Sequence, residues 1–223
     1  MSVKLFFEAI IKFSFGVLLV GLFVFLPAGT LEYLNGWIFM GVLFVPMFIA
    51  GIIMMIFNPS LLVSRLNAKE KQKEQSLVVK LSGLMFIVGF VIAGLDYRYK
   101  WLVVDEIVTY IGVGFFIFAY ILYAEVLREN TYLSRTIEVQ EGQKVIDKGL
   151  YGVVRHPMYT ATIILFLAMP LILGSWISFF IFLLYPILIA FRAVNEEKVL
   201  SNELVGYDEY MKKVRYRFIP YIW

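Results

Sequence analysis

The chain has no cysteine and a single histidine, His156. The first absence excludes disulfides, thiolate metal sites and a cysteine nucleophile, and the second excludes a metal centre built from several histidines. Charge is also scarce, at 17% of 223 residues against about 25% in ordinary soluble domains. Apolar residues take its place: 61% hydrophobic and 17% aromatic, with a mean hydropathy of +0.82. A soluble domain of this length lacks the polar surface to cover so much apolar side chain. The composition therefore excludes a soluble globular enzyme, a disordered chain and a basic nucleic-acid binder, and puts the chain in a bilayer.

A helix crosses a bilayer with roughly 20 mostly apolar residues. Six runs approach that length: Ala9–Leu26, Gly36–Phe57, Leu77–Leu95, Ile107–Ala124, Pro157–Leu173 and Trp176–Phe191. The expectation is an all-α, polytopic transmembrane bundle of about six spans. The third run is the weakest, with Lys80 in its first turn and Asp96 closing it early. The last two are separated only by Gly174 and Ser175, which forces an antiparallel hairpin over 157–191. The first run is too long for a signal peptide, and no small-residue cleavage site follows it.

Of the 20 Lys and Arg residues, all but Arg98 and Lys100 fall in alternate segments on one side of such a bundle. The positive-inside rule makes that side cytoplasmic, with both termini there. The longer polar segments, 58–76, 125–156 and 192–223, share this side, so chemistry is expected there. The division is an N-terminal set of four helices over 1–124 and a C-terminal half, 125–223, forming a cytoplasm-facing cofactor pocket. The run Lys69–Glu74 reads most simply as a solvated helix with local charge pairing, or as a contact with anionic lipid heads.

Three segments carry the candidate chemistry. In Lys148-Gly149-Leu150-Tyr151-Gly152-Val153-Val154-Arg155-His156-Pro157-Met158-Tyr159, two glycines allow close approach and Pro157 suits a first helical turn. Arg155 and His156 then precede a helix N-terminus, a setting that favours an anion; Arg155 also fits a simple charged boundary. In Arg192-Ala193-Val194-Asn195-Glu196-Glu197, Arg192 and Glu196 share a helix face, either as an ordinary i,i+4 ion pair or as part of a site. The hairpin puts them near Arg155, His156 and Tyr159. Ionisable groups clustered at a membrane face are costly unless paired or functional. The tail from Gly206 to Trp223 mixes aromatic and basic residues, which suits an interfacial segment and also a cover over the site.

The combined pattern of Gly149-x-Tyr151, Arg155-His156-Pro157-x-Tyr159, Arg192-x-x-x-Glu196-Glu197, Gly206-Tyr207-x-x-Tyr210 and Pro220 resembles the isoprenylcysteine carboxyl methyltransferase family. Asn130-x-Tyr132-x-Ser134 and the segment Glu138–Ile146 are also similar to it. The resemblance covers about Leu127 to Trp223 and implies an integral-membrane enzyme of bacterial or archaeal type that uses S-adenosyl-L-methionine. It assigns the cofactor to Gln140, Gln143, Lys144, Val145, Ile146, Tyr151, His156, Pro157, Met158, Tyr159 and Glu196. It assigns the acceptor to Arg192, makes Arg192 and Glu196 the residues of the reaction, and requires no metal. A lipophilic or prenylated acceptor and membrane lipid are the implied partners, and no nucleic acid is. Methyl transfer to a carboxylate needs no general base, because the nucleophile is already ionised near neutral pH. Three other readings stay open: a phospholipid N-methyltransferase or small-thiol S-methyltransferase with a similar cofactor site, an NADPH-dependent sterol-type reductase, and a structural membrane protein.

Overall fold

The apolar runs fold as helices because a backbone in lipid must satisfy its own N–H and C=O groups. The computed structural model describes residues 3–66, 73–102, 104–133 and 139–223. Most of the charged run Lys69–Glu74, together with Ser134 and Glu138, lies outside the described residues. In chain order the helices are α1 (Val3–Ala28), α2 (Leu34–Phe57), α3 (Pro59–Leu66), α4 (Lys73–Tyr99), α5 (Glu106–Glu129), α6 (Pro157–Ile172), α7 (Trp176–Phe182), α8 (Leu184–Glu203) and α9 (Tyr207–Lys213). A 3-10 turn, Gly149–Gly152, precedes α6, and no strand occurs among the described residues.

Among the described residues, five helical stretches are long and apolar enough to cross a membrane: α1, α2, Gln75–Tyr99 of α4, α5, and Trp176–Glu203, which α7 and α8 share. The fifth expected span forms the shorter α6. Its 16 residues reach about 24 Å at about 1.5 Å per residue, less than the hydrocarbon thickness of about 30 Å. Pro157 starts α6 as its first residue, and Gly174, at a φ of 73°, turns the chain just beyond its end. Half of α6 is buried and none of it is exposed, and it packs chiefly on α5. The lipid-facing shell lies elsewhere, for example along Phe15, Leu18, Leu22 and Leu26 of α1, which are all exposed.

Glycines set the closest crossings. A Cβ at Gly94 would lie 2.5 Å from the Val24 carbonyl oxygen, and one at Gly112 would lie 3.1 Å from the Ile172 nitrogen. Both glycines therefore serve contacts within the chain, α4 on α1 and α5 on α6. Asp96 does not end α4 as expected. It is buried and accepts hydrogen bonds from Ser175 Oγ (2.6 Å) and Leu102 N (2.9 Å), so the helix runs on to Tyr99. Those two donors remove the need for water, and the bonds tie α4 to the α6–α7 turn at the end of the bundle remote from the polar loops.

Candidate active site

Three pieces of chain meet at the other end of the bundle: the loop from α5 to α6, the C-terminal part of α8, and the tail. The loop is anchored first. The Glu129 carboxylate accepts from Leu150 N through both oxygens, at 3.1 and 2.9 Å. Gly149, at a φ of 59°, permits this, since a Cβ there would lie 1.8 Å from Glu129 Oε1. Asn130 Nδ2 donates to the Tyr151 hydroxyl (3.0 Å), and the Tyr210 hydroxyl donates to the Tyr151 carbonyl (2.7 Å).

Beside this frame lies a cavity of about 830 Å³, counted to its open mouth. From the loop, Gln143, Lys144, Val145, Ile146 and Tyr151 line it; from α6 and its cap come His156, Met158 and Tyr159, and from α8 come Arg192 and Glu196. Two residues assigned to the cofactor by resemblance do not line it. Pro157 is buried at the start of α6. Gln140 builds the loop instead: its backbone N–H donates to Gln143 Oε1 (2.9 Å) and its Nε2 to the Tyr132 carbonyl (2.6 Å). Asn130, Tyr132, Leu133, Arg155, Tyr207 and Tyr210 add to the lining. Burial raises the Tyr151, Tyr207 and Tyr210 phenols well above the ordinary value, so they line the cavity as neutral hydroxyls.

Arg192 and Glu196 share a helix face as expected, and Tyr159 stands between them. Arg192 Nε donates to the Tyr159 hydroxyl at 3.1 Å, and that hydroxyl donates to Glu196 Oε2. Arg192 Nη1 also donates to Gln75 Oε1 at 3.3 Å. His156 stacks on the Tyr159 ring at 5.4 Å between centroids, with Nδ1 4.0 Å from Glu196 Oε2.

The Arg155 and His156 groups expected to favour an anion before α6 are taken up within the chain. The N–H groups of Arg155 and His156 donate to the carbonyls of Tyr216 (2.8 Å) and Arg217 (2.9 Å). The Arg155 guanidinium donates to Glu197 Oε1 (2.7 Å) and to the carbonyls of Val214 and Arg215 (2.8 Å each). Glu197 is a buried hub, also meeting His156 Nε2 at 3.2 Å and Arg217 Nε at 2.9 Å. A carboxylate only accepts, so a neutral His156 carries its proton on Nε2 and keeps Nδ1 bare. The tail thus covers the site: Tyr207, Tyr210, Val214 and Phe218 are buried, and Thr160 Oγ1 donates to the Phe218 carbonyl at 2.7 Å.

Sequence reasoning missed Gln75 and Arg65. Arg65, at the end of α3, reaches Met158 Sδ at 3.9 Å and lies over the Tyr123 ring at 5.6 Å. Neither residue carries a local motif: Arg65 lies on α3, and Gln75 in the first turn of α4.

Comparison with known proteins bears on the same half of the chain. Residues 107–204 match the family described as phospholipid methyltransferase. A Delta(14)-sterol reductase of Mus musculus is 34% identical over 91 residues, covering 40% of this chain and 22% of the reductase. A probable 7-dehydrocholesterol reductase of Acanthamoeba polyphaga mimivirus is 35% identical over 123 residues, covering 50% of this chain and 28% of its own length. The matches thus span about a quarter of those curated relatives. From the start of α5 to the turn before α9, the chain is similar to a family of integral-membrane methyltransferases.

Proposed function

We propose that the protein is an S-adenosyl-L-methionine-dependent methyltransferase of the membrane, acting on the carboxylate of a lipophilic or prenylated acceptor. The observation that carries this reading is the convergence of Tyr151, His156, Tyr159, Arg192 and Glu196 on one cavity within the region that matches the methyltransferase family.

The donor set suits that cofactor. Glu196 offers a carboxylate to its ammonium group, and Lys144 an ammonium to its carboxylate. Tyr151 and Tyr159 offer ring faces to an adenine or a sulfonium. The cofactor, when bound, supplies an electrophilic methyl group on sulfur. The chain's own residues then orient the acceptor and exclude water. Arg192 suits a carboxylate through a bidentate pair, and Tyr159 holds the guanidinium in register. The buried tail residues Tyr207 and Tyr210 wall one side of the cavity and limit its contact with bulk water.

A second cavity supports a lipophilic acceptor. It has an open volume of about 750 Å³ and is walled by apolar residues, among them Phe23, Phe86, Phe90, Phe166 and Met169. Phe166 follows Tyr159 by two turns of α6, about 10 Å deeper along nearly the same face. The charge asymmetry of the loops supports a cytoplasmic site with both termini inside.

The similarity to sterol reductases favours a second reading, with NADPH as the cofactor. Against it, Arg155 is committed to Glu197 and two carbonyls rather than to a phosphate.

The test is transfer of labelled methyl from S-adenosyl-L-methionine into amphiphiles extracted from membranes. A carboxyl methyl ester releases its label as methanol in mild base, whereas N-methyl and S-methyl products retain it. Base-stable label would move the assignment to the amine or thiol enzymes, and no incorporation would remove methyl transfer.

A further inference from the structure

Residues 217–223 close on themselves. The N–H groups of Arg217 and Phe218 both donate to the Trp223 backbone oxygen (2.8 and 3.1 Å), and those of Ile222 and Trp223 both donate to the Ile219 carbonyl (3.2 Å each). The Trp223 ring covers the Arg217 guanidinium and stands edge-on to Phe218, 5.1 Å between centroids. The side chains left outside are apolar or aromatic: Ile219 is 45% exposed, Tyr221 89% and Ile222 75%. A loop that bonds much of its own backbone and presents such side chains enters lipid at little cost, because few of its N–H groups need water.

Two rulers place this loop at the edge of the bilayer. Thr160, in the first turn of α6, donates from Oγ1 to the Phe218 carbonyl at 2.7 Å. With α6 about 24 Å long in a hydrocarbon layer about 30 Å thick, and its far end at the opposite boundary, that first turn does not clear the layer. The second ruler is α8. Its exposed residues are apolar as far as Phe191, and the next exposed one is Lys198, about 10 Å further along. Arg192, next to Phe191, is bonded to Tyr159, whose ring meets Phe218 at 5.9 Å. Phe218 therefore lies where the lipid-facing belt of α8 ends. Arg215, exposed two residues before Arg217, suits the lipid phosphates just outside it.

The same segment holds the site together. Tyr216 and Arg217 give their carbonyls to the N–H groups of Arg155 and His156, Arg217 binds Glu197, and the Phe218 ring packs on His156. We infer that residues 219–223 are a lipid anchor, seated at the polar–apolar boundary of the bilayer on the side of the cavity, and that this seat keeps the tail closed over Arg155, His156 and Glu197. The inference is independent of which cofactor the cavity takes.

The chain has no cysteine, so a single label can be placed without background. The test uses the full-length protein in nanodiscs of phosphatidylcholine and phosphatidylglycerol, with a nitroxide at Ile222→Cys or, as an aqueous reference, at Val205→Cys in the exposed turn before α9. Collisions with oxygen, which concentrates in lipid, and with a water-soluble nickel chelate report the surroundings of each label. At Ile222→Cys the nickel collisions are at least about fivefold rarer than at Val205→Cys, and the oxygen collisions are more frequent. Equal nickel collisions at the two positions overturn the anchor. The coupling is read from hydrogen exchange at the Arg155 and His156 amides, whose acceptors belong to the tail. The double variant Tyr221→Ser, Ile222→Ser raises exchange there about tenfold or more, while exchange within α5 stays at the wild-type level, which a general loss of stability would not allow. Unchanged exchange at those two amides overturns the coupling. If the double variant fails to fold, Ile222→Ser alone carries the same exchange test, and the label decides the anchor separately.

Discussion

The Arg217 guanidinium lies 2.9 Å from the buried Glu197 carboxylate, Nε to Oε2, and this contact fastens the C-terminal tail to α8. Trp223 reinforces it from outside, with its ring 4.7 Å from the Arg217 guanidinium carbon. Glu197 also serves Arg155 and His156, so removing its charge leaves a buried cation uncompensated. Glu197→Gln should destabilise the fold by about 3 kcal/mol and raise hydrogen exchange over 214–218. Arg217→Ala should loosen the same segment with a smaller loss, because Arg155 remains on Glu197. Unchanged exchange in both variants would show that the tail is held by its aromatic residues alone.

Tyr159→Phe deletes only the hydroxyl that links Arg192 to Glu196. Stacking on His156 survives the change. Turnover should fall about tenfold or more, while S-adenosylhomocysteine affinity changes little. Turnover at the wild-type rate would mean that Arg192 needs no help in holding its orientation.

Gly149→Ala should be far more damaging than its size suggests. The position has a φ of 59°, and the added carbon would fall 1.8 Å from Glu129 Oε1. The cost comes from backbone strain, of order 1–3 kcal/mol, together with displacement of the Glu129 carboxylate from Leu150 N. A lowered thermal midpoint and weaker S-adenosylhomocysteine binding are expected together. The double variant Gly149→Ala, Glu129→Ala should relieve the clash without restoring the anchor.

The buried phenols make an alkaline prediction. Tyr151, Tyr207 and Tyr210 have folded pKa values raised above the unfolded value, chiefly by burial. The stability this represents is fully present below about pH 10 and is lost as pH climbs from there through the folded values. Thermal midpoints measured from pH 7 upward should therefore hold level until about pH 10 and then fall. Phenolate absorbance should appear with unfolding rather than before it.

The helical architecture was legible because long apolar runs have few alternatives in a bilayer. The two-residue link at Gly174–Ser175 similarly foretold that α6 and α8 lie side by side, which is what lets Tyr159 reach Arg192 and Glu196. The extent of α6 was also legible, since Pro157 and the turn at Gly174 bound the run and the helix ends one residue early, at Ile172. Asp96 read as a span terminus because its partners, Ser175 and Leu102, cannot be paired with it from sequence. Gln75 was invisible for a related reason. It lies 117 residues from Arg192 in a polar run with no motif. Glu197 gave no signal of its own, since helical geometry sets it about 100° round from Glu196 but does not show the tail that folds over it.

The cavity between α6, α8 and the loop before α6 is proposed to hold S-adenosyl-L-methionine. Calorimetric titration of purified protein with S-adenosylhomocysteine and, separately, NADPH tests it most directly. Saturable binding of S-adenosylhomocysteine by the wild type is expected, with loss of that binding in His156→Ala measured well below that variant's own thermal midpoint, and no binding of NADPH. Saturable binding of NADPH with none of S-adenosylhomocysteine would contradict it and place the protein with the reductases.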